Sequence, residues 1–168
     1  MTPFDAVILG IVEGISEFLP ISSTGHVILA SSLLGIEQSE FVKTFEIAIQ
    51  LGAILAVLAL YWKSFLDWPL LKKIIVAFVP TALIGLALYH VVKTYLIGNE
   101  AVVLLALLIG GVALVMFEYL HGERVGARNL SALSYTEALA IGCAQAIAII
   151  PGVSRSAATV LGGLALGL

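Results

Sequence analysis

The chain is 168 residues long, 61% hydrophobic and only 11% charged, with a mean hydropathy of +1.12. A water-soluble domain carries about 25% charged residues, so this composition excludes one and points to a polytopic membrane protein. The net charge of −3 offers no electrostatic footprint for a nucleic-acid partner, and a single cysteine, Cys143, excludes an intramolecular disulfide framework.

Asp5 is the first charge, so the N-terminal run lacks the basic flank of a cleaved signal and reads as part of the mature fold. Neither end carries a lipidation motif. Residues 4–19 are helix-like, contain Glu13, Ser16 and Glu17, and stop at Pro20. Residues 24–35 form a second short apolar piece that ends at Gly35. Each is shorter than the ~20 residues a full membrane span needs. Two short pieces joined by a polar Pro/Ser turn predict a re-entrant hairpin over 1–35, in place of one long broken span.

An acidic connection, Ile36-Glu37-Gln38-Ser39-Glu40, leads to a full span over 41–62 that closes on Tyr61-Trp62 as an interfacial aromatic anchor. A loop over 63–73 holds Lys63, Asp67, Trp68, Pro69, Lys72 and Lys73. A second span is expected over 74–92 with Pro80 inside it. A short loop with Lys93, Gly98, Asn99 and Glu100 follows, then a third span over 101–119. The next loop contains His121, Glu123, Arg124 and Arg128. Ser134 or Thr136 can cap an apolar segment over 137–150, in which Cys143 is expected to be a small packed residue. Pro151 ends that segment and a last apolar piece starts near Ser154, making a second hairpin over 135–168. The run from Leu161 to Leu168 breaks off without a polar flank, so residues 1–168 are expected to be one transmembrane domain, C-terminally truncated from a longer protein.

Basic residues set the orientation. Lys63, Lys72, Lys73, Arg124 and Arg128 all fall in loops on one side of three successive spans, and the opposite loops hold only Lys93. The positive-inside rule makes the first side cytoplasmic, so the first hairpin dips in from outside and the segment at 137–150 enters from the cytoplasm. An internal repeat agrees with this. Asp5-Ala6, Gly10, Glu13 and Pro20-Ile21-Ser22-Ser23 recur in order as Glu137-Ala138, Gly142, Gln145 and Pro151-Gly152-Val153-Ser154, allowing a one-residue gap. The expected fold is therefore all-α, a polytopic membrane helix bundle with two re-entrant helical hairpins related as inverted repeats, whose site lies at the repeat interface.

Ionisable groups inside a membrane segment are expensive, so they mark candidate sites. Glu13 and Glu17 are four apart, which puts both carboxylates on one helical face, about 5–6 Å apart at Cβ. Such a pair can hold a divalent cation together with phosphate oxygens, or supply a general acid or base; it can also be a solvated interfacial pair. Ser22, Ser23, Thr24 and His26 follow Pro20. Their hydroxyls can cap the next helix, whose N-terminus is itself an anion site, and a serine beside a histidine can be a nucleophile with its base. Arg155 lies between Ser154 and Ser156, with Thr159 one turn on. Its planar fork suits phosphate oxygens, though a snorkelling interfacial cation would look the same. Glu46 and Gln50 form another i, i+4 polar pair, read as lining a cavity, supporting the site, or gluing helices together. His90, His121, Glu118 and Glu123 sit at span ends or in loops and are read as solvated.

Glu13-x-x-x-Glu17-Phe18-Leu19-Pro20-x-Ser22-Ser23-Thr24-Gly25-His26 and Pro151-Gly152-x-Ser154-Arg155-Ser156-x-x-Thr159 resemble the bacterial undecaprenyl-diphosphate phosphatases of the bacitracin-resistance type, as does Lys43-Thr44-Phe45-Glu46 followed by Ile49-Gln50-Leu51-Gly52. The resemblance covers essentially the whole chain. Family members continue through further transmembrane helices, so the chain resembles their N-terminal part, and residues 1–168 alone are expected to be inactive. The resemblance implies a multi-pass hydrolase of the bacterial plasma membrane, opening outward. It would convert undecaprenyl diphosphate to undecaprenyl phosphate and inorganic phosphate, recycling the lipid carrier of cell-wall precursors. It implies a divalent cation, Mg²⁺ or Ca²⁺, on Glu13 and Glu17. The catalytic set would be Glu13, Glu17, Ser23, His26 and Arg155, with Ser22, Thr24, Ser154, Ser156, Thr159 and Gln50 as candidates for holding substrate. Partners would be the polyprenyl diphosphate and membrane lipids; a homo-oligomer stays open. The rival from another class is a transporter or flippase of a polyprenyl phosphate.

Overall fold

The computed structural model describes residues 1–96, 99–121 and 132–168, apart from the side chain of His121. Gly98, Glu123, Arg124 and Arg128, named above as loop residues, lie outside the described residues. All regular structure among the described residues is helical. Helix α1 spans Pro3–Ser16, α2 Ser23–Leu33, α3 Glu40–Tyr61, α4 Trp68–Val91, α5 Glu100–His121, α6 Tyr135–Ala146 and α7 Arg155–Ala165.

Helices α1 and α6 begin in the same way. The Thr2 hydroxyl accepts the Asp5 N–H while the Asp5 carboxylate accepts the Thr2 N–H; Ser134 and Glu137 repeat this arrangement at the head of α6. Each is a reciprocal capping box, satisfying donors that a helix start would otherwise orphan. The acid of the repeated acid-Ala element is thus the capping-box acid in both copies.

Helix α2 ends in a Schellman motif. Gly35 takes φ +66, its N–H bonds the Ser32 carbonyl at 3.0 Å, and the Ile36 N–H bonds the Ser31 carbonyl at 2.9 Å. The motif turns Ile36 inward, where it forms a buried cluster with Leu9, Val27 and Val42, flanked by Val12, Ala30, Phe45 and Ile49. This core fastens α1, α2 and α3 together. Lipid is as apolar as these side chains, so close packing, not escape from solvent, supplies the attraction.

Among the described residues, three helices are long and apolar enough to cross a membrane: Glu40–Tyr61, Trp68–Leu96 and Glu100–Leu120. Only 6% of each apolar window is buried within the chain, so these helices present apolar side chains outward on nearly every side, which suits lipid or neighbouring helices and not water. The second span starts earlier than the sequence suggests. Lys72, Lys73 and Pro69 were expected in a loop over 63–73, yet only a 3₁₀ turn at Ser64–Leu66 precedes α4, whose N-cap is Asp67. Proline in a first helical turn gives up an N–H that had no partner there, so Pro69 starts the helix instead of excluding it. A π turn over Val92–Leu96 extends α4 to the full 29 residues.

Helix α4 packs most extensively on α6. Ala138, Gly142 and Ala146 form the buried stripe of α6, and the Thr81 hydroxyl donates to the Gly142 carbonyl at 3.1 Å. Cys143, expected to be packed, is exposed: one residue on from Gly142 it is turned about 100° away from that stripe.

Candidate active site

Proline and glycine shape the two turns that carry the polar motifs. Between α1 and α2 the backbone leaves the helix at Glu17 and runs as turn to Ile21; Pro20 disfavours helix for Leu19 before it. Ser22 then takes φ +66, the one non-glycine residue with positive φ among those described. Between α6 and α7 the Val153 N–H closes a turn on the Ile150 carbonyl at 3.1 Å. Pro151 and Gly152, with φ +94 at the glycine, occupy its centre in the type II pattern. A Cβ at Gly152 would lie 2.7 Å from the Val103 carbonyl oxygen, so this turn rests directly on α5.

The two turns meet. Arg155 Nη2 lies 3.4 Å from Glu17 Oε1 across 138 residues of sequence. The other oxygen of Glu17 accepts the Ser23 hydroxyl. Glu17 therefore joins the first turn, the start of α2 and the start of α7. A second tie runs through hydroxyls. The Ala157 N–H donates to Ser154 Oγ at 3.1 Å, Ser154 and Ser156 lie 2.9 Å apart, and Ser156 Oγ donates to the Leu19 carbonyl at 3.0 Å. A serine hydroxyl has one proton, so Ser156 spends its own on Leu19 and receives the one from Ser154. Both protons are used to fix the turns against each other.

Glu17, Ser22, Ser23, Thr24, Ser154, Arg155 and Ser156 line a small polar cavity of about 60 Å³. Two helix N-termini, those of α2 and α7, border it. The α2 terminus has no side-chain cap, leaving its first N–H groups to an anion. This overturns the reading of the Ser/Thr run as a side-chain cap: Ser22 holds the cap position without capping, and the Ser23 hydroxyl is drawn off by Glu17.

Glu13 lies one turn back from Glu17 and is 1% exposed, with both carboxylate oxygens lacking a hydrogen-bond partner. A buried, unpartnered carboxylate costs several kcal/mol if it stays charged and alone, so the position calls for a proton or a cation. Two carboxylates, one with both oxygens orphaned, fit a divalent ion that takes its remaining ligands from phosphate and water. The described residues hold no cluster of three or more acidic, His or Cys side chains that would build a cage from protein alone.

Other candidates lie elsewhere. His26 Nδ1 is 2.8 Å from the Ser22 carbonyl, an oxygen that can only accept, so Nδ1 carries the hydrogen. The expected Ser23–His26 pair does not form: Ser23 bonds Glu17, and His26 faces a separate apolar cavity. Thr159, expected at the substrate, donates its hydroxyl back to the Arg155 and Ser156 carbonyls of its own helix and is not on the polar cavity wall. Neither is Gln50, half-buried on α3. Its neighbour Glu46 accepts hydrogen bonds from Ser31 at 2.9 Å and Gln38 at 3.2 Å. Sequence reading missed Ser31, whose only signal was its place two turns beyond Ser23, and the Leu19 carbonyl, for which a backbone acceptor leaves no signal.

The apolar cavity measures about 920 Å³ and shares Ser22, Val153 and Ser154 with the polar one. Leu29 of α2, Leu105, Ile109 and Leu114 of α5, and Leu161 of α7 contribute to its walls.

Residues 6–168 match the profile of the family described as bacitracin resistance protein BacA. A protein of Aquifex aeolicus named undecaprenyl-diphosphatase is 50% identical over all of this chain and 66% of its own length. One of the same name from Bdellovibrio bacteriovorus is 53% identical over all of this chain and 64% of its own. A Thermus thermophilus relative, named likewise, is 47% identical over 100% and 66%. The chain thus spans slightly less than two thirds of the length of these relatives. With the profile match running through both turns and all three membrane-length helices, the chain belongs to the bacitracin resistance protein BacA family.

Proposed function

We propose that these residues form part of a membrane phosphatase that hydrolyses undecaprenyl diphosphate to undecaprenyl phosphate and inorganic phosphate. The carrying observation is Glu17, bonded at once by the Ser23 hydroxyl and the Arg155 guanidinium at the wall of a polar cavity. The relatives' shared name supplies the substrate, and the adjoining apolar cavity suits a long prenyl tail beside the diphosphate. The Arg155 fork and the N–H groups at the heads of α2 and α7 would hold phosphate oxygens where negative charge develops. Ser23 Oγ is the oxygen the geometry offers for attack. Its proton passes to Glu17 as the new P–O bond forms, and the bridging oxygen leaves with undecaprenyl phosphate; water then releases the phosphate from the serine. His26, its Nε2 left as acceptor, lines the apolar cavity and bonds the carbonyl of Ser22, which borders both cavities; from there it would serve proton transfer to that water.

Glu13 and Glu17 would hold a divalent cation, Mg²⁺ or Ca²⁺, which when bound supplies neutralisation of phosphate charge. Glu13, whose two carboxylate oxygens accept no hydrogen bond, would be the chief protein ligand of such an ion.

The same reading takes α1–α2 and α6–α7 as re-entrant hairpins related by inverted repetition. The equivalent capping boxes at Thr2/Asp5 and Ser134/Glu137 support this. In a bacterial plasma membrane the site would open outward, on the side opposite Lys63, Lys72 and Lys73.

The test is phosphate release by purified protein, expressed in detergent from the complete reading frame that contains these residues, with undecaprenyl diphosphate and Mg²⁺ or Ca²⁺. Glu17→Gln is expected to keep the fold and lose at least about a hundredfold in rate. Near-normal release in that variant would remove the carboxylate from the mechanism, and no release by the wild type would favour a transporter.

A further inference from the structure

Ser31 is 0% exposed, carries no role in the site described, and gives its hydroxyl to a carboxylate on another helix. Ser23, Val27 and Ser31 are the buried positions along α2 at intervals of one turn. Ser23 and Ser31 are eight residues apart, about 12 Å along the helix and about 80° around it. Each donates a hydroxyl to a carboxylate outside α2: Ser23 to Glu17 behind α1, Ser31 to Glu46 of α3.

Two such bonds at different heights and azimuths define a rotation. A turn or slide of α2 by a few tenths of an ångström would change the geometry of both bonds. The rest of the joint is built to resist this at the Glu46 end. The Schellman motif holds the Ser31 carbonyl, Ile36 is buried beside Val27 and Val42, and Gln38 of the connecting segment reaches the same Glu46 oxygen as Ser31. At the Ser23 end the N-cap makes no side-chain bond and its backbone is strained at φ +66. The head of α2 is held by the Ser23–Glu17 bond and by Gly25 packed on Leu107, and with no side-chain cap there its rotation is also set at its foot.

We propose that Glu46 is a positioning residue: by accepting Ser31 it fixes the rotation of α2, and so fixes the Ser23 hydroxyl on Glu17 at the far end. Glu46 does not border the polar cavity and touches no substrate there. Its demand is for an acceptor, which an amide oxygen also meets, so Glu46→Gln retains the clamp and Glu46→Ala removes it. Ser31→Ala removes the same bond from the other side.

The inference rests on the phosphatase reading for its kinetic readout only. Measured on the purified full-length protein with undecaprenyl diphosphate, Glu46→Ala and Ser31→Ala are each expected to lower kcat about tenfold or more, since small misplacements at reacting groups are costly. KM should stay within about twofold, because Arg155 and the helix termini still hold the phosphates. Glu46→Gln should restore kcat to within about threefold, and the Glu46→Ala/Ser31→Ala pair should be no worse than either single change. An independent measurement, hydrogen exchange of the hydrogen-bonded amides at His26–Leu29, should speed up in Glu46→Ala and Ser31→Ala but not in Glu46→Gln. Additive losses in the pair, a Glu46→Gln as poor as Glu46→Ala, or unchanged exchange at the head of α2 would each overturn the proposal. If the wild type releases no phosphate, the phosphatase reading falls, and hydrogen exchange alone decides this one.

Discussion

Gly142→Ala is the sharpest structural test of how α6 is held. A Cβ built on Gly142 would lie 1.9 Å from the Ala77 carbonyl oxygen, 2.8 Å from the Ala77 carbonyl carbon and 3.1 Å from its Cα. All three are backbone atoms of α4 and cannot swing aside. Restoring ordinary contact at 3.4 Å or more requires the helices to part by about 1.5 Å. That movement would break the 3.1 Å bond from Thr81 to the Gly142 carbonyl and strip contacts along the Ala138–Ala146 stripe. Overpacking of this kind costs about 1–3 kcal/mol, and losing a hydrogen bond adds about 1. Alanine returns about 1 kcal/mol of helix propensity, leaving a net loss of about 1–3 kcal/mol, or roughly 2–12 °C in Tm for a chain of this size. Gly85→Ala is the control. Its Cβ would meet only Ile149 Cδ1 at 3.7 Å, so it should gain the propensity without the clash. Thermal unfolding of both variants in detergent reads the difference. A Gly142→Ala protein as stable as Gly85→Ala would mean that α6 does not ride against α4 as described.

Two further outcomes are expected. At Ser22 the backbone sits at φ +66, a conformation that costs a non-glycine residue about 1–3 kcal/mol; Ser22→Gly should raise Tm and Ser22→Val should lower it, and a Ser22→Val protein as stable as the wild type would dissolve the argument for strain. Removing the donor to Leu19 by Ser156→Ala should cost about 1 kcal/mol, a fall of roughly 2–4 °C in Tm; an unchanged Tm would show that this tie between the turns carries no weight.

What the sequence made legible follows from the range of the forces involved. Long apolar runs declare spans by themselves, and three were read to within a few residues except at the start of α4. There a proline and two lysines look like loop, and only the Asp67 cap turns them into the first two turns of the helix. The proximity of Arg155 and Glu17 was legible because charges in an apolar chain must find each other. Local competition was not. Thr159 and His26 both bond carbonyls within four residues of themselves, an option open to any such side chain and decided only by the helix geometry around it. Ser23 stands three residues from His26 yet bonds Glu17, since the turn at Pro20 folds Glu17 back over the head of α2.

The bond between Glu17 and Arg155 also sets a clock. Ribosomes add about 5–20 residues per second, so the 138 residues that separate the partners take roughly 7–28 s to emerge. Through that interval the first hairpin already holds its two glutamates and its serine, with the guanidinium still unsynthesised. A nascent chain entering the membrane therefore carries Glu17 without its guanidinium partner, and that contact forms only when the second turn docks.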